Sequence, residues 1–467
     1  MRYIIGIDVG GTNTNACLLQ IDEAHQGQVV KMAKTPTVHE NLLFSTKQVL
    51  AEISRDLTVQ DWTALEIHLS TTLITNAIVE GKGDPVATIV SPGPGLCLAD
   101  AGLSIPLSSV GGAIDHRGRE TAPLDMDEIR NALRGADRQG AKVVAVVGKF
   151  SPRNPKHELA IEDLIKREFP EFYPPTLGHR LSGRLNFPRR VNTSYLNAMV
   201  ARLQREFIVK ISQTLQEKGL SLSPDPREVP ERPRRKVFLL KADGGTISLE
   251  KSVTRPIETI LSGPAASVMG ALALTEARDS CTVVLDIGGT TTDLSILVHG
   301  KPLAEKDGAE VGGYKTVVPA FFSRSIGLGG DSVVRYQAGR IRIGPERAGK
   351  AAALGGDSLT PTDAIVLTDG GSFGDRHRAL AVMKEFCQKT GGSLQERAEE
   401  INQAFCQQVV QAINGIFAYL NSRPVYTVSE VLTPRELKPE KLIGLGGPAA
   451  YYLPRIARLL AVPYEVL

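Results

Sequence analysis

A chain of 467 residues with 54 basic and 51 acidic side chains carries a formal charge of only +3, too little to direct it to nucleic acid or to a membrane surface. At 42% apolar and 22% charged residues it has the make-up of a soluble globular protein, and its length suits two or three domains rather than one core. Its five cysteines (Cys17, Cys97, Cys281, Cys387, Cys406) form no CxxC, which argues against a zinc ribbon, a redox pair or an iron–sulfur loop and predicts reduced, mostly buried thiols in a cytoplasmic protein.

The N-terminus, MRYIIGIDVGG, has no apolar run of signal-peptide length, and no later stretch approaches the roughly 18 apolar residues of a membrane span. A strand over 3–9 leads into IDVGGTNTN (7–15), and a second strand over 16–21 follows at once. Strand, Gly-Gly turn and strand make a hairpin whose tip lets backbone N–H groups approach a ligand closely. Gly10, Gly11, Thr12, Asn13 and Thr14 then offer neutral donors to phosphate oxygens, and Asp8 at the strand end offers an anionic oxygen to hydrated Mg2+.

Short β-rich runs continue at 65–70, 86–90, 142–148 and 237–242, alternating with helical sequence. Apolar strands between helices predict an α/β protein with sheets buried on both faces. The run SLSPDPREVPERPRRK (221–236) holds four prolines and reads as a loop or connection, its basic cluster a solvated face.

LDIGGTTTD (285–293) repeats the first turn, its Asp286 standing 286 − 8 = 278 residues after Asp8. Asp286, Gly288, Gly289, Thr290, Thr291 and Thr292 take the same parts as their counterparts, Asp286 again as a metal and catalytic oxygen. Two such hairpins on separate domains predict one polyphosphate gripped from both sides. Gly329 and Gly330, in the loop IGLGGDS (326–332), join the same nucleotide-contacting set. Apolar residues Ile401, Phe405, Val409, Ile413 and Phe417 recur every fourth position, predicting a helix over 394–420 whose stripe is core packing. Finally KLIGLGGPAAYYLPRIARLL (441–460) reads as a strand, a glycine turn and a helix entered through Pro448. Too little chain follows it for a dinucleotide unit. Gly444, Gly446 and Gly447 are read instead as a flat surface beside adenosine.

Phosphate hairpin, second phosphate hairpin and late adenosine turn, in that order, resemble the actin/hexokinase/Hsp70-like (ribonuclease H-like) ATPases. That resemblance implies duplicated α/β domains with an interdomain nucleotide cleft. The stretches LSTTLITNAIVEGKG (69–83), RNPKHE (153–158), KADGGTISLE (241–250), RPIETILSGPAASVMGA (255–271), DIGGTTTDLSI (286–296), IGPERAG (343–349) and TPTDAIVL (360–367) further resemble the A-type members of the hydantoinase/oxoprolinase family, in that family's order. By this resemblance residues 1–190 form the family's N-terminal domain and 191–467 its ATPase domain. The implied chemistry is ATP-driven phosphorylation of an amide or carbonyl oxygen, with ATP and Mg2+ as cofactors and a hydantoinase B-type partner protein. The implied substrate is a small cyclic amide of the hydantoin or 5-oxoproline kind.

Four positions depart from the family's pattern. Leu69-Ser70 stands where members read His-Gly, and Phe322 and Arg324 stand where they read Asp and His. A metal or substrate site there is expected to be altered. His68 falls one place early and so faces the other side of its strand. Ser262, before an alanine-rich helix, reads as an N-cap rather than a nucleophile. Two other readings stay open: a sugar-type kinase, suggested by the first fifteen residues alone, and an ATP-gated regulatory or carboxylase-type subunit without hydrolase activity of its own.

Overall fold

The computed structural model describes residues 2–10, 13–22, 27–38, 42–55, 65–217, 236–275, 280–368, 373–422 and 436–467. The chain packs as two compact units, Met1–Ala265 with Ala304–Ala320, and Ala266–Leu303 with Phe321–Leu467. The division expected after residue 190 falls inside one continuous helix, Phe187–Glu217.

Unit 1 is built on a six-stranded sheet in the order Thr246–Ser248, Lys236–Leu240, Leu65–Thr71, Arg2–Val9, Asn13–Ile21, Gly27–Pro36. Arg2–Val9 pairs antiparallel with Asn13–Ile21 and parallel with Leu65–Thr71, which in turn pairs parallel with Lys236–Leu240. Ile5, Ile7 and Val9 alternate along the first strand, so one face closes over Val49, Leu50 and Ile53 and over Phe207 and Ile211 of the long helix. A second sheet of the unit is wholly parallel: Thr176–Leu177, Val143–Gly148, Val86–Ser91, Ser108–Ser109. Its central run, Val144 to Val147, is buried residue by residue because helices cover both faces. Met126–Arg138 and Lys156–Glu168 bury Ile129, Leu133, Ile161 and Leu164 on one side. On the other, Leu196 and Met199 of the long helix pack with Val86 and Ala145.

Unit 2 repeats the plan of the first sheet. Cys281–Ile287 pairs antiparallel with Thr292–Val298 and parallel with Lys441–Leu445, which pairs parallel with Tyr464–Val466. Ser323–Ile326 lies antiparallel on the outer side of Thr292–Val298, as Gly27–Pro36 lies on Asn13–Ile21. An antiparallel hairpin followed by parallel strands, present once in each unit, is the duplicated α/β plan of the actin/hexokinase/Hsp70-like ATPases that the repeated motif implied. The predicted long helix is Leu394–Asn421, started by a capping box between Ser393 and Glu396. Its expected stripe is buried, and Phe405 stacks on Tyr452 of the helix Ala449–Leu460 with ring centroids 3.9 Å apart. Among the described residues no helix is long and apolar enough to cross a membrane.

Candidate functional site

The first glycine turn keeps four of its six expected parts within the described residues; Gly11 and Thr12 lie outside them. Asp8 stands directly across from Asn15 on one neighbouring strand and Ser70 on the other. The Gly10 amide donates to the Asn13 carbonyl at 3.2 Å, which closes the turn. Thr72 caps the strand end, its amide and hydroxyl both directed at the Val9 carbonyl, at 3.3 and 3.4 Å. Thr14 is fully buried, its hydroxyl 3.0 Å from that of Thr37, so it ties the second strand to the end of the third.

The second turn has the same skeleton. The Gly288 amide donates to the Thr291 carbonyl at 2.9 Å, and Asp286 stands across from Asp293. Thr292 is buried like Thr14 and donates to the Leu328 carbonyl at 2.7 Å. Alternation along the strand explains this. Thr292 shares a face with Leu294 and Ile296, whereas Asp293 shares the opposite face with Asp286. Gly288, Gly289, Thr290 and Thr291 remain half-buried at the turn itself.

Three further elements meet this turn. The loop at 329–331 docks on it, Gly330 and Asp331 donating to the Gly288 and Gly289 carbonyls at 3.0 and 2.7 Å. A Cβ at Gly329 would stand 2.5 Å from the Gly289 carbonyl, so Gly329 serves this close approach. The late turn comes in from the neighbouring strand. Gly446 holds φ +90°, and a Cβ there would lie 2.3 Å from the Ile287 carbonyl oxygen and 3.1 Å from Asp286 Oδ1. Gly446 and Gly447 are exposed, as an adenosine surface requires, but Gly444 is buried under Leu453 and serves helix-on-strand packing instead. The helix Ser262–Leu274 closes the remaining side, and Ser267 donates to Asp286 Oδ2 at 2.6 Å.

The electrostatics of the pair follow from burial. Loss of water raises the Asp286 carboxyl above its ordinary value, against the stabilising hydrogen bond from Ser267. Burial pushes Asp293 up to about 6, opposed by a hydrogen bond from Ser325 and reinforced by the charge on Asp286. Two adjoining carboxylates whose hydrogen-bond donors are hydroxyls form an all-oxygen donor set that fits a hard cation such as Mg2+. Asp293, Ser267 and Ser325 are not among the residues that sequence reasoning singles out. A signal exists for Asp293 alone, because the first copy of the motif ends in Asn15 where the second ends in an acid.

The departures from the family's pattern are filled by packing. Leu69 and Phe322 are core residues, and the Arg324 guanidinium lies 4.2 Å from the centre of the Phe322 ring. His68 sits 3.5 Å from the Glu66 carboxylate and against Phe238. Among the described residues no group of three or more His, Cys, Asp or Glu could hold a metal. Ser262 is the first residue of its helix rather than a cap. Its hydroxyl donates to the Thr71 carbonyl and accepts from the Thr71 amide and Ser70, at 3.0, 3.1 and 3.3 Å. The RNPKHE stretch is structural: Glu158 is buried and accepts from the Gly148 and His179 amides at 2.9 Å each, and His157 meets Glu120 at 2.9 Å.

Known proteins resemble this chain in sequence and fold. A hydantoinase/oxoprolinase family model matches residues 190–464, and the family's N-terminal region model matches residues 4–169. The caprolactamase alpha subunit of Pseudomonas jessenii is 25% identical over 98% of this chain and 67% of its own length. The acetophenone carboxylase gamma subunit of Aromatoleum aromaticum is 25% identical over 78% of this chain, which spans only 52% of that relative. In structure, nucleotide-free acetone carboxylase superposes on 98% of this chain and 67% of its own with a TM-score of 0.71 at 20% identity, a likeness of fold. With the family models spanning both glycine turns and the late turn, the chain belongs to the hydantoinase/oxoprolinase family.

Proposed function

We propose that this chain is the ATP-using component of an enzyme that phosphorylates the oxygen of a small cyclic amide so that the ring can be hydrolysed. The observation that carries this reading is the meeting of the second glycine turn, the late glycine turn and two half-buried carboxylates at Asp286. Gly288, Gly289, Thr290 and Thr291 hold phosphate oxygens through turn amides and hydroxyls, and Gly446 and Gly447 receive adenosine. Asp8 and the turn around Gly10 form a second phosphate-holding element. Asp286, with Asp293 beside it, would hold Mg2+, which neutralises charge on the transferring phosphoryl group.

An unstrained lactam needs this help because its amide carbon is a poor electrophile. The amide oxygen attacks the γ-phosphorus and ADP leaves. Water then adds to the activated carbon and the ring nitrogen departs as the amine, leaving an acyl phosphate that a second water cleaves. For the first step positioning and charge neutralisation suffice, and no nucleophilic side chain is required. The relative named as a caprolactamase subunit supports a cyclic amide substrate, and the subunit names of both relatives support a partner protein.

A second reading rests on the packed side chains at Leu69, Phe322 and Arg324: an ATP-gated protein that lacks hydrolase activity of its own. Phosphate release from Mg-ATP, measured against caprolactam, 5-oxoproline, hydantoins and simple sugars, separates the readings. Stimulation by a cyclic amide that Asp8→Asn and Asp286→Asn abolish supports the first. Binding of ATP with no stimulation by any ring, with or without a B-type partner, refutes it and favours the second. A stable phosphorylated sugar would point to a kinase.

A further inference from the structure

We propose that Ser267 is a positioning residue for Asp286, one that fixes the plane in which its carboxylate is presented to the nucleotide's metal. The inference rests on the proposed ATP site and adds to it a residue from a helix outside both glycine turns.

The sheet face that carries Asp286 and Asp293 also carries Val284, Leu297 and Ile443, and these pack against Val268 and Ala271 of the helix Ser262–Leu274. That apolar contact sets the height and rotation of the helix on the sheet. Ser267, one residue before the buried Val268, is thereby held over Asp286, and its hydroxyl donates to Oδ2 at 2.6 Å. This is the short distance of a hydrogen bond to a charged acceptor. The other oxygen, Oδ1, faces the late turn, where the missing Cβ of Gly446 leaves it room; a methyl group there would come within 3.1 Å.

The carboxylate is therefore held on one side by a donor and bounded on the other by backbone. A carboxylate at the end of a strand has a broad, roughly two-fold torsion and does not hold one plane by itself. Ser267 fixes that plane, engaging one oxygen and leaving the other toward the late glycine turn. With alanine at 267 the side chain regains that freedom, and the metal and its phosphate lose their alignment.

The test uses the full chain with Ser267→Ala and Ser267→Thr variants, checked first for unaltered thermal unfolding. ATP affinity is measured by calorimetry with and without Mg2+, and basal Mg-ATP turnover is followed by phosphate release. In Ser267→Ala, ATP affinity without Mg2+ is expected to be unchanged, and the gain that Mg2+ confers to fall roughly tenfold. Turnover should drop roughly 10- to 100-fold. Ser267→Thr keeps the hydroxyl and is expected to recover most of both. A full Mg2+-dependent gain in Ser267→Ala overturns the proposal and leaves the ATP site standing. So does a threonine variant as impaired as the alanine one, since the hydroxyl is then not the cause. Wild-type protein that binds no ATP overturns the site itself, and the role of Ser267 with it.

Discussion

Replacing Asp293 by Asn should make the protein without nucleotide or metal more stable near neutral pH, which reverses the usual result of mutating a motif residue. Burial lifts this carboxyl from 3.8 to about 6. A folded-state value above the unfolded one means that the neutral acid is favoured in the fold. Its contribution is fully present below pH 3.8 and is lost as pH rises through about 6. The displacement of about two pH units is worth about 3 kcal/mol at about 1.4 kcal/mol per unit. At pH 7.5 the charged carboxylate is therefore a burden of about that size, and the isosteric amide removes it. Urea unfolding of wild type and Asp293→Asn at pH 4.5, 6 and 7.5, in the presence of a chelator, measures the difference directly. The variant should gain at pH 7.5 and lose most of that advantage by pH 4.5. Adding Mg2+ with ATP at pH 7.5 should stabilise wild type far more than the variant, because a cation neutralises only the carboxylate. A variant less stable than wild type at every pH would refute the reasoning, since the carboxylate would then be compensated in the fold.

Two more outcomes follow from the geometry. Gly446→Ala forces a side chain onto a φ of +90° and brings its Cβ to 2.3 Å from the Ile287 carbonyl oxygen, so it should cost about 1–3 kcal/mol in urea unfolding and weaken ATP binding sharply. Unchanged nucleotide affinity would separate the late turn from the site. Among the thiols Cys97 is exposed, whereas burial, with the charge of Glu440 adding to it, pushes Cys281 up to about 11. At pH 8 only about one in a thousand Cys281 side chains is a thiolate. Iodoacetamide followed by mass spectrometry should label Cys97 first and reach Cys281 only after unfolding.

Much of this molecule is written locally. The strands at 281–287 and 143–148 are apolar runs bounded by turn residues, and the helix Leu394–Asn421 carries both its stripe and its capping box in sequence. The duplicated hairpin is legible because a glycine turn between strands is a local device, and a local device repeats as a string. Alternation along those strands is equally local. Followed to the end of each hairpin, it turns Thr14 and Thr292 inward and sets Asp293 beside Asp286.

What alternation alone does not reveal is which face of a sheet is dry and what covers it. Asp286 acquires its environment from Ser267, 286 − 267 = 19 residues earlier, and from Gly446, 446 − 286 = 160 residues later. Neither residue carries a mark of that role in its own neighbourhood. Ser262 shows the same limit: a serine before an alanine-rich run reads as a cap, yet its hydroxyl is engaged by Thr71, 262 − 71 = 191 residues away. Sequence marked the amides and hydroxyls proposed to hold phosphate. Packing decided which carboxylates lost water, and that loss is what raises Asp286 and the adjoining Asp293 above the usual carboxylate range.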